Sequence, residues 1–245
     1  MERPPYFASS LIPKAAALLA AASATALAYA TVAPQSQIFG PTLQAPPRPR
    51  DLALTFDDGP NPTATPHLLD LLAANNIHAT FFLIGRYALA QPQLARRILA
   101  EGHTVGNHTL SHPRLPLCTH ARITAELTGA QHAIEDTIGA PIRLFRPPHG
   151  FRTPFVLRSA RDLGLTPVLW NLIANDWSLP TAEAITDRIL TGIARNQRHN
   201  QASNIVLHDG SQTSPLADRS RSLAATASIL HHHRQAHFVT LDTWL

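Results

Sequence analysis

The stretch Leu52–Pro60, LALTFDDGP, decides how this chain is read. Its first half, LALTF, is a short apolar run with a β-branched residue, the composition of a buried strand. It ends directly on two adjacent carboxylates, Asp57 and Asp58, and a Gly-Pro turn follows. Taken alone, DDG is the composition of a solvated turn. Two like charges at the end of a buried strand repel each other unless a cation lies beside them.

Working outward, the same alternation recurs. Apolar β-like runs (ATFFLIG, HTVGNHT, RLFRPP, TPVLWNL, NIVLHD and HFVTLD) are separated by helical patterns such as TPHLLDLLAANN, PQLARRILAEG and HARITAELTGAQHAIEDTIG. Gly102, Gly139 and Gly164 stand where three of these helices stop. Strands that alternate with helices favour parallel pairing through helical crossovers. Seven such units without a Gly-rich dinucleotide signature predict an α/β fold, a distorted (β/α)7-type barrel in one catalytic domain.

The 245 residues suffice for one large domain. The N-terminus reads separately. From Lys14 onward about 19 residues are apolar, with Arg3 and Lys14 on their N-terminal side and small residues around ALAYA. That pattern predicts either an export signal or a membrane anchor over residues 1–33. Residues 34–47 are Pro-rich and read as a linker, and the domain is expected over 48–245. Either reading of the apolar run exports the domain, to the cell envelope or beyond it.

The formal charge is +4, but no basic run is interleaved with aromatics, so a nucleic-acid partner is not expected. Membrane contact is expected only through the N-terminal segment. The single cysteine, Cys118, excludes an intrachain disulfide and reads as a structural thiol. The tract His231–His233 reads as a solvated helix end rather than a metal site.

In such a barrel the chemistry sits at the C-terminal ends of strands, and the polar residues fall there repeatedly. Asp57 and Asp58 follow the first strand, and His108 and His112 the third, in HTLSH. Arg146, Pro147 and His149 follow the fourth, in RPPHG. Asp176 and Trp177 lie after the fifth, and His208 and Asp209 end the sixth. Histidines at i and i+4 share one face of a helix or turn and can share a cation. One carboxylate completes a His₂-carboxylate set, which suits Zn²⁺ but also Fe, Co or Mn. The second carboxylate is then free to take a proton from water at the cation.

TFDDGP, HTLSH, RPPHG, NDW and VLHDG together resemble the motif set of the polysaccharide deacetylases, carbohydrate esterase family 4, also called the NodB-homology domain. The resemblance covers roughly Arg48–Leu245. It implies a hydrolase that removes N-acetyl groups from N-acetylglucosamine-type residues of a polymer or oligomer and releases acetate. It implies Asp57 as general base, Asp58, His108 and His112 as ligands of a divalent metal, usually zinc, and Arg146 as the group orienting Asp57. Asp176 would orient His208, which would protonate the leaving amine. The backbone N–H of His149 would steady the oxyanion, and Trp177 and Val206 would line the acetyl pocket, with Pro147 also on the substrate side. Three positions depart from the family's common pattern: His149 for tyrosine, Ile173 for an aspartate, and Val206 for leucine. None removes a ligand or the acid–base pair. The same site could cleave O-acetyl esters such as acetylated xylan. A non-catalytic glycan-binding module on this barrel would be expected to have lost Asp57 or His208.

Overall fold

The computed structural model describes residues 11–245; Arg3, one of the two basic residues expected to flank the apolar run, lies outside the described residues. The strands are β1 (Asp51–Gly59), β2 (Thr80–Leu83), β3 (Thr104–Asn107), β4 (Leu144–Phe145), β5 (Thr166–Pro167), β6 (Leu172–Ile173), β7 (Ser203–His208) and β8 (His237–Phe238). They form one parallel sheet in the order β5-β4-β3-β2-β1-β7-β6. The last strand, β8, pairs with Asp51 and Leu52 at the start of β1, below the point where β2 joins at Thr55. The (β/α)7 reading holds, with one revision. The run TPVLWNL is not one strand: it supplies β5 at one edge of the sheet and β6 at the other. Only residues 168–171 separate them, so the two edges lie within about 19 Å along even a fully extended chain. The sheet must therefore curl on itself. Val168 N–H bonds to Phe145 O, and Asn171 N–H to Asn204 O, tying the crossing segment to both edges.

The helices are α1 (Leu11–Val32), α2 (Thr65–Ala74), α3 (Gly85–Ala90), α4 (Pro92–Ala100), α5 (His120–Ile138), α6 (Pro154–Asp162), α7 (Ala182–Arg198) and α8 (Ser220–His232). Thr119, Thr153 and Thr181 cap α5, α6 and α7 by accepting from the third backbone N–H of each helix. Gly139 closes α5 in the left-handed conformation. The short helix α3 was not expected; it forms where the second strand's apolar run ends at Gly85.

The two-residue period of the strands sorts their side chains. Leu52, Leu54 and Phe56 of β1, Phe81 and Leu83 of β2, and Ile205 and Leu207 of β7 face the helices in the main core. The alternate residues point into the barrel. Ala53 and Phe82 join a small apolar plug with Leu144, Val168, Val239 and Leu241. Above it Thr55, Arg146 and Asn204 make a polar layer. Asp57 and His208, facing Cα partners on β1 and β7, end the inward row.

No helix among the described residues is long and apolar enough to cross a membrane. The expected apolar run does form α1, but its many alanines dilute its hydrophobicity. The end of α1 and the segment after it are tied to the barrel. Ala30 and Ser36 are buried, and Leu43 bridges to Val168. Arg152, almost fully buried, donates to the carbonyls of Thr31, Ala33, Ser36 and Gly150. His231 and His232 end α8 exposed to solvent.

Candidate active site

The carboxyl ends of the strands open into a cavity of about 510 Å³, lined among others by Asp57, Asp58, His108, His112, His149, Trp177, Val206 and His208. Of the residues singled out in the sequence, Arg146, Asp176 and Pro147 stand behind this wall. Arg146 and Asp176 reach the lining residues through hydrogen bonds. Pro147, expected on the substrate side, is buried and does not line the cavity.

Close approach of backbone builds the first corner. A Cβ on Gly59 would clash with the Asp209 carboxylate, and one on Gly210 would overlap the Asp58 carbonyl. Both positions therefore need glycine, which explains why each acidic end reads as Asp-Gly. Asp209 is buried, accepts from the Thr65 hydroxyl, and is pushed up to about 7 by burial. It braces the strand ends from the helix side and does not line the cavity.

The HTLSH segment is a turn rather than a helix, with left-handed backbone at Thr109 (φ 67°) and His112 (φ 63°). The Asn107 carboxamide accepts from Thr109 N–H and donates to Leu127 O. Glu126, buried on α5, accepts from the Ser111 N–H and hydroxyl at 2.8 and 2.6 Å, and pairs with Arg122. Asp58 (φ 71°), His149 (φ 58°) and Asn175 (φ 56°) are left-handed too. For non-glycine residues this backbone is strained, and it gathers around one cavity.

The histidine tautomers follow from their partners. His108 Nδ1 lies 2.7 Å from Arg146 O, which can only accept, so Nδ1 carries the proton and Nε2 is a lone pair. His112 Nδ1 lies 2.5 Å from Gln212 Oε1 and is set in the same way. Both Nε2 atoms face Asp58 Oδ1, at 3.4 and 3.1 Å. That oxygen is buried and has no hydrogen-bond donor. Three electron-pair donors within 4.8 Å of one another, with no proton to share, fit a divalent cation and little else.

Asp57 turns the other way. Its Oδ1 accepts from Arg146 at 2.8 Å, and its Oδ2 lies 4.0 Å from His108. Arg146 is fully buried and also donates to Thr55, Leu169 O and Asn204. Its guanidinium lies 4.1 Å from the centre of the Phe82 ring. Burial lowers its pKa, and Asp57 pushes back.

Across the cavity Asp176 binds His208 through both the ring Nδ1 and the backbone N–H, and accepts from Ser222. Burial works against a charged His208, but Asp176, Asp58 and Asp57 raise it to about 9. Trp177, half exposed, meets the His208 ring edge-on at 4.9 Å. His149 packs against His112, ring centres 4.7 Å apart, and burial together with His112 and His108 lowers it to about 4.

The polysaccharide deacetylase family model matches residues 44–168. This chain belongs to the polysaccharide deacetylases. It is 39% identical over 183 residues to a chitooligosaccharide deacetylase of Sinorhizobium fredii, covering 72% of this chain and 82% of that one. It is 34% identical over 208 residues to a peptidoglycan-N-acetylglucosamine deacetylase of Bacillus cereus, covering 83% and 92%. A solved peptidoglycan N-acetylglucosamine deacetylase matches the fold at a TM-score of 0.73 and 30% identity, over 83% of this chain and 91% of that one. A family 4 carbohydrate esterase from Streptomyces lividans, in complex with acetate, matches at 0.64 and 30% identity, over 77% and 90%.

Reading this polysaccharide deacetylase from sequence alone missed Glu126, Gln212 and Trp170. Glu126 is a polar residue on the buried face of an amphipathic helix, and that mismatch was the available signal.

Proposed function

We propose that this polysaccharide deacetylase is a metal-dependent hydrolase that removes N-acetyl groups from N-acetylglucosamine-type residues of an oligo- or polysaccharide and releases acetate. The observation that carries the reading is the pairing of Asp57 and His208 at one register on adjacent strands, both lining the cavity that the Asp58–His108–His112 cluster also lines. Opposite strand neighbours can serve as base and acid on two sides of one carbonyl.

Asp58, His108 and His112 would hold the cation, with zinc the expected ion. When bound, it supplies Lewis-acid polarisation of the acetyl carbonyl and eases deprotonation of water. Asp57, oriented by Arg146, takes the proton from water as it attacks. The backbone N–H of His149 donates to the oxygen on which charge develops. His208, positioned by Asp176, delivers a proton to the departing sugar nitrogen. Trp177 and Val206 bound the space for the acetyl methyl.

Acetate release from chitin oligomers and N-acetylated peptidoglycan, with and without chelator, tests the reading. Metal-dependent release is expected, and a metal-loaded protein inert on every acetylated glycan would overturn it. Acetylated xylan serves as the ester control. A glycan-binding module without catalysis is disfavoured because both Asp57 and His208 are present and aimed into the cavity. We also propose that residues 1–33 direct export to the cell envelope, with 34–47 leading into the domain at 48–245. N-terminal sequencing of the mature protein checks this.

A further inference from the structure

A second cavity of about 400 Å³ adjoins the first, sharing Trp170 and Ile173 as common wall. Its outer side is one face of α7: Arg188, Thr191, Gly192 and Arg195, at spacings of three, four and seven. Among the described residues no acidic side chain lines it, and the formal charges there are the two guanidiniums. Each is anchored by one N–H to the backbone of β6 or of the residue that leads into it. Arg188 Nε donates to Ile173 O, and Arg195 Nη2 to Asn171 O, both at 3.1 Å. Among the described residues neither arginine has a carboxylate within 4 Å. Arg188 keeps both terminal NH₂ groups, and Arg195 keeps Nε and Nη1.

We propose that this lobe is an anion subsite that selects glycans carrying carboxylates on sugars next to the one deacetylated. The inference rests on the deacetylase reading given above. The Arg188 fork, already held by backbone through Nε, loses little freedom on binding and matches the two oxygens of a carboxylate, while Arg195 offers single N–H donors. The two arginines are about 10 Å apart along the helix, which suits separate single charges along a chain better than one phosphate. Arg188 sits at Ile173, the junction of the two cavities, so an anion there lies beside the reacting sugar.

The test uses the full chain, and as probes a tetrasaccharide of alternating N-acetylglucosamine and its lactyl-ether derivative, and the same molecule with its carboxyls reduced to alcohols. Both acetate release and direct binding are measured. The wild type is expected to favour the acidic form, in kcat/KM and in affinity. In the R188Q/R195Q double variant that preference falls at least tenfold, the loss appearing in KM. R158Q, which removes an exposed arginine on α6 that lines neither cavity, leaves the preference unchanged. Equal preference in all three proteins would overturn the subsite while leaving deacetylation intact. If no glycan is turned over but acidic binding is lost in the double variant alone, the subsite stands and the deacetylase reading falls.

Discussion

Asp176 grips His208 at two points: its Oδ1 accepts from the ring Nδ1 at 2.8 Å, and its Oδ2 accepts from the backbone N–H at 2.9 Å. Ring tilt and tautomer are set together, leaving Nε2 as the group available to the cavity. The pairing raises His208 to about 9, above the ordinary imidazole value of 6.5. Its contribution to stability is therefore complete below about pH 6.5 and is lost as pH rises through about 9. Asp176→Asn keeps the shape and removes the charge. The alkaline limb of kcat/KM is expected to move to lower pH, and kcat to fall by about 10²-fold or more. A pH–rate profile checks this, and an unmoved alkaline limb would contradict the acid role of His208.

Asp57 and Asp58 are neighbours in sequence with different partners, so their isosteric variants should separate. Asp57→Asn is expected to retain cation binding while losing roughly 10²–10⁴ of turnover. Asp58→Asn is expected to lose the cation itself. Metal content by mass spectrometry, read beside acetate release, distinguishes the two. A fully active Asp57→Asn would remove it as the base.

Glu126 is predicted to matter for the cation without facing it. It holds the Ser111 end of the turn that carries His108 and His112. Glu126→Gln keeps an acceptor but loses the charge that meets Arg122. A fall of about 1–3 kcal/mol in stability and of roughly tenfold in metal affinity is expected. Calorimetric metal titration and thermal denaturation measure both.

Arg146 joins the barrel interior to Asp57. Arg146→Met leaves that carboxylate without its buried partner, and removing one member of such a pair costs about 3–5 kcal/mol. A large drop in Tm with loss of activity is expected. Arg146→Lys, which keeps the charge but not the fork, should recover stability better than turnover.

Much of this was legible because strands place alternate residues on one face. Once LALTF is a buried strand, Asp57 must point with Thr55 into the barrel, and the same period puts His208 beside it. The Asp58–His108–His112 cluster was legible only in combination: His-x-x-x-His alone is weak evidence, and it was the set of motifs at successive strand ends, with the family resemblance, that singled out Asp58 as the carboxylate beside it. What stayed hidden depends on three-dimensional closure. Nothing local in TPVLWNL says that its two ends serve opposite edges; that follows only when the sheet curls. Glu126 and Gln212 are single polar residues whose meaning lies in what folds against them. The left-handed backbone at Thr109 could not be foreseen, because a β-branched residue rarely adopts it.

Arg152 sets a limit on how the polypeptide can be trimmed. Its guanidinium collects carbonyls from Thr31, Ala33 and Ser36, as well as from Gly150 in the loop that presents His149. A processing cut after Ala30 would leave every one of those acceptors in place. A cut after Ala33 would strip two of them and remove part of what covers Arg152, beside the loop that presents His149. The segment proposed to direct export and the loop that presents His149 thus meet at a single arginine.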